Sequence, residues 1–492
     1  MNLSSLLNSI HLDSSEIIPN IQVTGLHFDS RKIDKGNLFV AINGTESDGH
    51  HYIDDAVKAG ASVIIGETAL SHPLSVPYFK VENSRIALAQ LASSFYGNPA
   101  TRKTIIGITG TNGKTTTCYL LRHILEQAGI RCSLIGTVSH YVNGQEVPSE
   151  NTTPDALTLH KLLHESQDPV VILEVSSHGL EQHRVEGIQF DYALFTNLSH
   201  DHLNYHHSLY DYFITKTKLF DQLKSSGKAF VSRYNNEWSN RMIDHLLTQK
   251  KTVLSVGIDE TDDFILGELV SDHPCVFTLQ YQEQNFPVNL PLYGLHNAWN
   301  ASLTFLTAYV MGIAPQQIKK SLQSFPGVPG RFELYDHPKG AQFIVDYAHT
   351  PDAVLHCLKA IQNAKAKRIF HIFGFRGNGD PSKRQEMIKI SSHASHQFIL
   401  TLDDTNGVPL EEMEHQLHDL QKTFGGSNGT VIMDRTLAIQ YVWGVVEDGD
   451  WVFISGKGPE HYKQNFHLPA TSDRETIEFL QLDKKRTELY KA

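Results

Sequence analysis

Residues 107 to 117 read Gly107-Ile-Thr-Gly110-Thr111-Asn112-Gly113-Lys114-Thr115-Thr116-Thr117, a glycine-rich turn between an apolar run and a helix-forming run. Glycines let backbone N–H groups turn inward on phosphate oxygens, and the helix N-terminus adds partial positive charge. A lysine at this point can neutralise a β- or γ-phosphate, and a threonine hydroxyl can reach Mg²⁺. Gly110, Thr111, Asn112, Gly113, Lys114, Thr115 and Thr116 are therefore the candidate nucleotide-binding residues. The pattern departs from the standard phosphate loop at Ile108, where the first glycine is usual. A plain glycine-rich turn is the bland alternative, and the strand-turn-helix setting with its Gly-Lys-Thr ending argues for phosphate.

Phosphate chemistry calls for a hard cation, and Mg²⁺ takes oxygen ligands, so carboxylates near strand ends are the places to look. Glu174 in VVILEVSSHGL closes an apolar run beside Ser176 and Ser177. An edge-strand charge paired with a surface cation is the competing reading. The segment FTNLSHDHLNYHH, residues 195–207, is dense in histidine. No cysteine or HExxH spacing supports a closed zinc site there, which leaves one imidazole contributing to a magnesium site. The next run, YFITKTKLF, reads as an ordinary amphipathic helix with solvated lysines, and pattern alone does not single out Lys216.

These residues need strands and helices to hold them. KTIIGITG, the glycine turn, TTTCYLLRHILEQAGI and SLIGTV form a βαβ unit, followed by strands at Val170 to Val175 and Tyr192 to Thr196 and helices at Ser208 to Lys224 and Asn297 to Met311. A mostly parallel sheet covered on both faces is expected. Before it, strands Asn37 to Ile42 and Ser62 to Ile65 and helices Ile53 to Ala59 and Ile86 to Tyr96 suggest a small α/β domain that ends near Gly97-Asn98-Pro99. After SFPGVPGRFE a second α/β series begins, with strands at Gln342 to Asp346, Arg368 to Phe373, Gln397 to Leu402, Val431 to Met433 and Trp451 to Ser455. The terminal KKRTELYKA reads as a solvated helix end. The expectation is an α/β protein of three domains, at residues 1–100, 101–329 and 330–492.

Composition narrows the partners. The net charge is -12, from 42 basic and 54 acidic residues, and no basic run is long enough to track a phosphate backbone, so nucleic acid is not an expected partner. Four scattered cysteines without a CxxC pair suggest a reducing, cytoplasmic setting. The opening MNLSSLLNSIHLDSSE lacks the basic region and cleavage site of a secretory signal. No apolar run approaches the roughly 20 residues needed to span a bilayer, so a soluble protein, taken as a monomer, is expected.

The segments GITGTNGKTTT, EVSSHGLEQHRV, FTNLSHDHLNYH, GLHNAWNA, VPGRFE, DYAHTPDA and SGKGPEHY, in this order, resemble the Mur ligases, and within them the members that extend UDP-N-acetylmuramoyl-dipeptide to the tripeptide. The resemblance covers nearly the whole chain and includes DSRKIDKGNLFVAINGTESDGHHYIDDAVKAGA near the N-terminus. It implies an N-terminal UDP-binding α/β domain, a central P-loop ATPase domain with a parallel sheet, and a C-terminal Rossmann-like domain that delivers the amino acid. By that resemblance Lys114, Thr115 and Glu174 would serve ATP and Mg²⁺, with His202 at a second magnesium. Lys216 would be carbamylated, which turns a cation into an oxygen ligand. Asn297, Arg331 and Asp346 would contact ATP. Ser30 would meet the uridine side, and Thr152, Thr153, Ser177, Gln182 and Arg184 the muramoyl-peptide. The implied reaction phosphorylates a substrate carboxylate with ATP and lets an amine attack the acyl phosphate.

Departures from that pattern bear on the amino acid. Relatives that add meso-diaminopimelate carry DNPR, where this chain has Asp403-Asp404-Thr405-Asn406, and their GDRD is replaced by Asn378-Gly379-Asp380. Loss of bidentate cations weakens recognition of a distal carboxylate, while acids suit an ammonium, so lysine or another diamine is favoured. Gly456, Lys457, Gly458 and Glu460 keep most of GKGHE, with Pro459 in place of histidine. That change leaves room for a ligase recruited to another carboxylate and amino-acid pair. A folylpolyglutamate-type ligase is disfavoured by the N-terminal domain, and a non-catalytic binding protein by the retained Lys114, Glu174, His202 and Lys216.

Overall fold

Short apolar segments that alternate between two faces build the first sheet. The computed structural model describes residues 1–12, 18–44, 47–70, 72–234 and 236–489. The chain divides into two units. One comprises Met1–Thr109, Ile130–Ala193 and Thr215–Lys228, and the other Gly110–Gly129, Leu194–Ile214 and the chain from Ala229 onward.

In the first unit, Leu26–His27, Leu38–Val40, Val63–Gly66 and Tyr78–Lys80 form a four-stranded parallel sheet in chain order. Leu38, Val40, Val63 and Ile65 pack with Leu88 and Leu91 of the helix Ser84–Phe95. Phe39, Ala41 and Ile64 point the other way, onto Ile53 and Ala56 of the helix Ile53–Ala59. Period-two alternation thus fills both faces. Asn83 caps the first of these helices through Arg85 and Ile86, and Gly60, at φ 113°, ends the second as its sequence suggests.

The same unit holds Thr104–Thr109, Val170–Glu174 and Cys132–Ile135 as adjacent parallel strands. An antiparallel hairpin, Ser139–Val142 with Gln145–Pro148, extends them; the periodicity did not announce it. Gly107 has no room for a side chain, since a Cβ there would meet Leu219 and Phe190 at 2.8 Å.

In the second unit the helix Lys114–Gln127 packs against Leu295–Val310 and Pro315–Gln323. Thr252–Gly257, Phe264–Leu266, Cys275–Tyr281 and Gln284–Leu290 make a region of mostly antiparallel pairing, where the sequence reading placed no strands. The last sheet runs Glu333–Asp336, Gln342–Asp346, Trp451–Ser455, Ile369–Phe373, Gln397–Leu400, Gly429–Val431, antiparallel at its first pair and parallel after it. Helices cover both faces of this sheet. Ile344, Phe373, Phe398 and Phe453 pack to one side, and Phe343, Ile372, Ile399 and Ile454 to the other. The helix Asp473–Leu489 takes in most of the predicted terminal helix, whose last three positions lie outside the described residues. So do residues 13–16 of the N-terminal stretch.

Beneath the final sheet's C-terminal edge lies a polar core. Arg435, fully buried, donates to Asp473 at 2.6 and 2.7 Å and to the Ser455 carbonyl at 2.9 Å. His371 sits between the Ser391 and Ser455 hydroxyls, 2.9 Å from each. Both hold Ser455, from which the loop 456–460 departs.

Candidate active site

The strand Thr104–Thr109 runs into Gly110, at φ 148°, and Gly113, at φ 83°, starts the helix Lys114–Gln127. Positive φ and crowding both require glycine: a Cβ at 110 would strike Thr196, and one at 113 would strike Asn300. Thr196 and Asn197 clasp the loop by donating to the Asn112 carbonyl at 2.7 and 3.0 Å, while the Asn112 N–H donates to Asn197 Oδ1 at 3.0 Å. Thr111 Oγ1 accepts from the Ser199 N–H at 3.0 Å. Lys114 Nζ folds back over the turn, donating to the carbonyls of Gly110 at 3.1 Å and Thr111 at 2.8 Å. Thr116 is buried one residue beyond Thr115.

Arg331 follows the Pro-Gly-rich hinge and donates through Nη2 to Thr115 Oγ1 at 2.9 Å. Among the described residues its buried Nε meets no hydrogen-bond acceptor. An ammonium, a guanidinium with an uncommitted N–H and a helix N-terminus around one hydroxyl fit a nucleotide's terminal phosphates. Asp346 accepts from the Phe332 N–H and the Ala348 N–H, each at 2.6 Å, and its burial pushes the carboxyl above the usual range against the nearby Arg331. Asn297 is buried on the helix Leu295–Val310, donating to the Tyr293 carbonyl at 2.9 Å and accepting from Asn300 at 3.2 Å.

His202, at φ 56°, places Nε2 3.3 Å from Asp201 Oδ2. Asp201 is 3 % exposed and also meets Lys383 at 3.1 Å and His349 at 3.5 Å. Burial alone would raise its carboxyl, but these cations hold it well below the ordinary value. Sequence reasoning passed over Asp201 because a single acid within a histidine-rich loop carries no spacing signature. A second link across the same unit joins Asn112 Nδ2 to Asp352 at 3.1 Å.

In the first unit, Glu174 closes its strand with 2 % exposure and accepts from the Thr137 N–H at 3.1 Å and the Thr137 hydroxyl at 2.9 Å. Thr152 meets the Thr137 hydroxyl at 3.0 Å, and Thr153 donates to the Glu174 carbonyl at 2.8 Å. Arg184 donates to the Thr153 carbonyl at 2.6 Å and to Gln182 at 2.8 Å, and Ser177 opens the short helix Ser177–Glu181. Of the five residues assigned by resemblance to the muramoyl-peptide, Thr153 touches Glu174, Thr152 reaches it through Thr137, and Arg184 with Gln182 backs Thr153. Ser30 lies on the short helix Ser30–Lys32 of the N-terminal sheet region, capped by Asp29.

Lys216 sits mid-helix in Leu209–Asp221 with 1 % exposure. The amphipathic pattern suggested a solvated lysine. The structure buries it instead, against that expectation. Among the described residues no group of three or more His, Cys, Asp or Glu could by itself hold a metal ion. Mg²⁺ binding through one or two carboxylates, water and substrate phosphates needs no such cage.

The residues expected from the sequence to meet the amino acid lie at the C-terminal edges of three neighbouring strands. Arg376 pairs with Glu460 and approaches Asp403 at 4.0 Å. Asp403 and Asp404, each 3 % exposed, are bound by Lys457 at 3.4 and 2.8 Å. Lys457 and two arginines, Arg435 and Arg376, keep Asp403 below the usual carboxylate range although burial opposes them. The acid pair expected to receive an ammonium is thus already compensated from within. Asn406, at φ 45°, donates to the Gly377 carbonyl at 3.0 Å and accepts from Lys463 at 3.2 Å. Arg376 is the residue missed here; the comparison with GDRD looked for an arginine three positions later. Gly456, at φ 106°, turns the chain out of its strand, and Pro459 seats against Gly330, where no Cβ would fit.

Three family models match the chain: "Mur ligase family, catalytic domain" over residues 22–96, "Mur ligase middle domain" over 108–308 and "Mur ligase, glutamate ligase domain" over 330–458. The chain is 35 % identical over 450 residues to a UDP-N-acetylmuramoyl-L-alanyl-D-glutamate--2,6-diaminopimelate ligase of Caldanaerobacter subterraneus, covering 90 % of this chain and 92 % of that protein. A solved structure of a ligase of the same description aligns with TM-score 0.67 and 27 % identity, over 98 % of this chain and 100 % of the other. The MurF ligase of Thermotoga maritima in complex with ADP shares the fold with TM-score 0.65 and 21 % identity, over 87 % and 93 % of the two chains. With all three family models in register along a chain that also folds like these ligases, the protein belongs to the Mur ligase family, whose members are ATP-dependent, ADP-forming ligases.

Proposed function

We propose that this enzyme adds an amino acid to UDP-N-acetylmuramoyl-L-alanyl-D-glutamate, through an acyl phosphate, in the synthesis of peptidoglycan precursors. The observation that carries the reading is Arg331 donating to Thr115 beside Lys114, a set of donors suited to a transferring phosphoryl group. Relatives 35 % identical across nearly the whole chain bear the name of that ligase.

In this reading Lys114 and Arg331 leave their present acceptors for phosphate oxygens and stabilise charge as a substrate carboxylate oxygen attacks the γ-phosphorus, the bond to the bridging oxygen breaks and ADP leaves. Thr152, Thr153, Ser177, Gln182 and Arg184 hold the muramoyl-peptide, and Ser30 meets the uridine. Asn297 and Asp346 orient the nucleotide. Thr115, Glu174, His202 and a carbamylated Lys216 are the residues that would hold magnesium, which when bound spreads charge from the phosphates. Gly456, Glu460 and the Asp403, Asp404 and Asn406 segment receive the amino acid, whose amine displaces phosphate from the acyl group. Residues 1–100, 101–329 and 330–492 serve as UDP-binding, ATP-binding and amino-acid-delivering domains.

The amino acid is read as lysine or another diamine. Asn406 offers no guanidinium, and Arg376 and Lys457 are both committed to carboxylates, which leaves a distal carboxylate poorly matched. Diaminopimelate, named in the relatives, is the competitor. Pro459, standing where the family's histidine is usual, leaves room for a second reading in which the same chemistry serves another carboxylate and amino-acid pair.

Phosphate release from ATP with UDP-N-acetylmuramoyl-L-alanyl-D-glutamate and a panel of lysine, ornithine and meso-diaminopimelate decides among these. Turnover with a diamine, abolished in Lys114→Ala, is the expected result. Turnover with diaminopimelate alone would refute the specificity, and none with any of the three would refute the substrate.

A further inference from the structure

Tyr293 stands in the short segment between the strand Gln284–Leu290 and the helix Leu295–Val310, yet its ring packs against the core of the C-terminal sheet. It stacks on Phe332, with ring centres 4.9 Å apart and planes 25° from parallel, and meets Trp451 edge to face at 5.8 Å. The His273 ring lies parallel to it at 3.6 Å. Phe332 is the residue after Arg331 and holds φ 48°, a left-handed conformation that an aromatic residue rarely adopts. Asp346 fixes its N–H at 2.6 Å, and Tyr293 fixes its ring.

The backbone of Tyr293 leads to the phosphate loop by a second route. Its carbonyl accepts from Asn297 Nδ2 at 2.9 Å, and Asn297 Oδ1 accepts from Asn300 at 3.2 Å. Asn300 in turn lies so close to Gly113 that a Cβ there would meet its Oδ1 at 2.3 Å. Arg331 and Thr115, joined at 2.9 Å, are therefore braced from one residue. The ring of Tyr293 holds the backbone from which Arg331 projects, and its carbonyl starts the chain of amides that ends beside the turn before Thr115. Stacked rings favour one offset geometry, so this contact restricts direction as well as burying apolar surface. Without it Phe332 is free to return to an ordinary negative φ, and the guanidinium one residue earlier swings with it.

We propose that Tyr293 is a positioning residue for the nucleotide, its stack on Phe332 keeping Arg331 aimed at the terminal phosphates. The inference rests on Arg331 serving the nucleotide, as in the reading above, and is independent of which amino acid is added.

The probe is β,γ-imido-ATP with magnesium, titrated into the full chain, Tyr293→Phe, Tyr293→Leu and Phe332→Leu, each also combined with Arg331→Met. Tyr293→Phe keeps the stack and should bind the probe like the parent. Tyr293→Leu and Phe332→Leu remove the same stack from its two sides, so one serves if the other does not fold, and each should weaken binding about fivefold, the worth of one aromatic pair. With Arg331→Met no guanidinium remains to be aimed, and the same two substitutions should then change affinity less than about twofold. Rings that only filled the core would lower the urea midpoint and leave the affinity of the folded protein unchanged. That result, or an equal loss with and without Arg331, or a loss in Tyr293→Phe as large as in Tyr293→Leu, overturns the proposal. A parent that does not bind the probe would sink the nucleotide reading instead.

Discussion

Arg331 and Thr115 stand 216 positions apart, yet Nη2 of the first lies 2.9 Å from Oγ1 of the second. The bond joins the hinge of the C-terminal sheet to the opening turn of the phosphate-loop helix within one unit of the fold. A neutral hydroxyl satisfies only part of a guanidinium, and among the described residues the buried Nε meets no acceptor. The unsatisfied donor is what a terminal phosphate would complete.

Arg331→Lys should therefore behave unlike a conservative change. A lysine offers a point charge and no fork, so the KM for ATP is expected to rise at least tenfold, about 1.4 kcal/mol, with the amino-acid KM less affected. Equal ATP kinetics in the variant and parent would remove Arg331 from the nucleotide site.

Lys216→Ala should abolish ligation, and Lys216→Arg should do no better, since a guanidinium cannot take up carbon dioxide as a carbamate. Phosphate release by the parent is expected to fall in carbonate-free buffer and return with added bicarbonate. A normal rate in Lys216→Ala would end the proposed role, whatever the burial of the side chain.

Arg435→Met removes one partner of a fully buried pair and strands Asp473 without its cation. Such uncompensated burial costs about 3–5 kcal/mol, whereas Arg435→Met combined with Asp473→Leu should recover much of it. Urea denaturation reads both. A single variant as stable as the parent would show that solvent reaches Asp473.

Burial lowers the imidazole of His160 to about 4 and that of His371 to about 3. In the unfolded chain each titrates near 6.5, so between there and about 4 the unfolded state binds protons that the folded state refuses. Stability from these groups is thus complete above about pH 6.5 and is lost as pH falls below it. The urea midpoint should drop from about pH 7.5 to about pH 5, and the drop should be shallower in His371→Gln. A midpoint level across that range would contradict the burial of these rings.

Local signals were legible wherever chemistry and backbone demand coincide in a few consecutive residues. Gly110 and Gly113 are required both by positive φ and by the crowding of Thr196 and Asn300, so the glycine turn between strand and helix could be recognised from the chain alone. Alternating apolar runs likewise located Val63–Gly66, Gln342–Asp346 and Trp451–Ser455, because each strand's neighbours in sequence already encode its two buried faces.

Tertiary structure decided what depends on partners far along the chain. The solvent-like pattern around Lys216 gave no sign of its burial, Asp201 meets Lys383 and His349 only through the fold, and Asp403 with Asp404 looks free for an ammonium until Lys457 is seen between them. Ion pairing falls off within a few ångströms, and the distances that govern it are set by sheet order and loop closure, which no spacing of residues records.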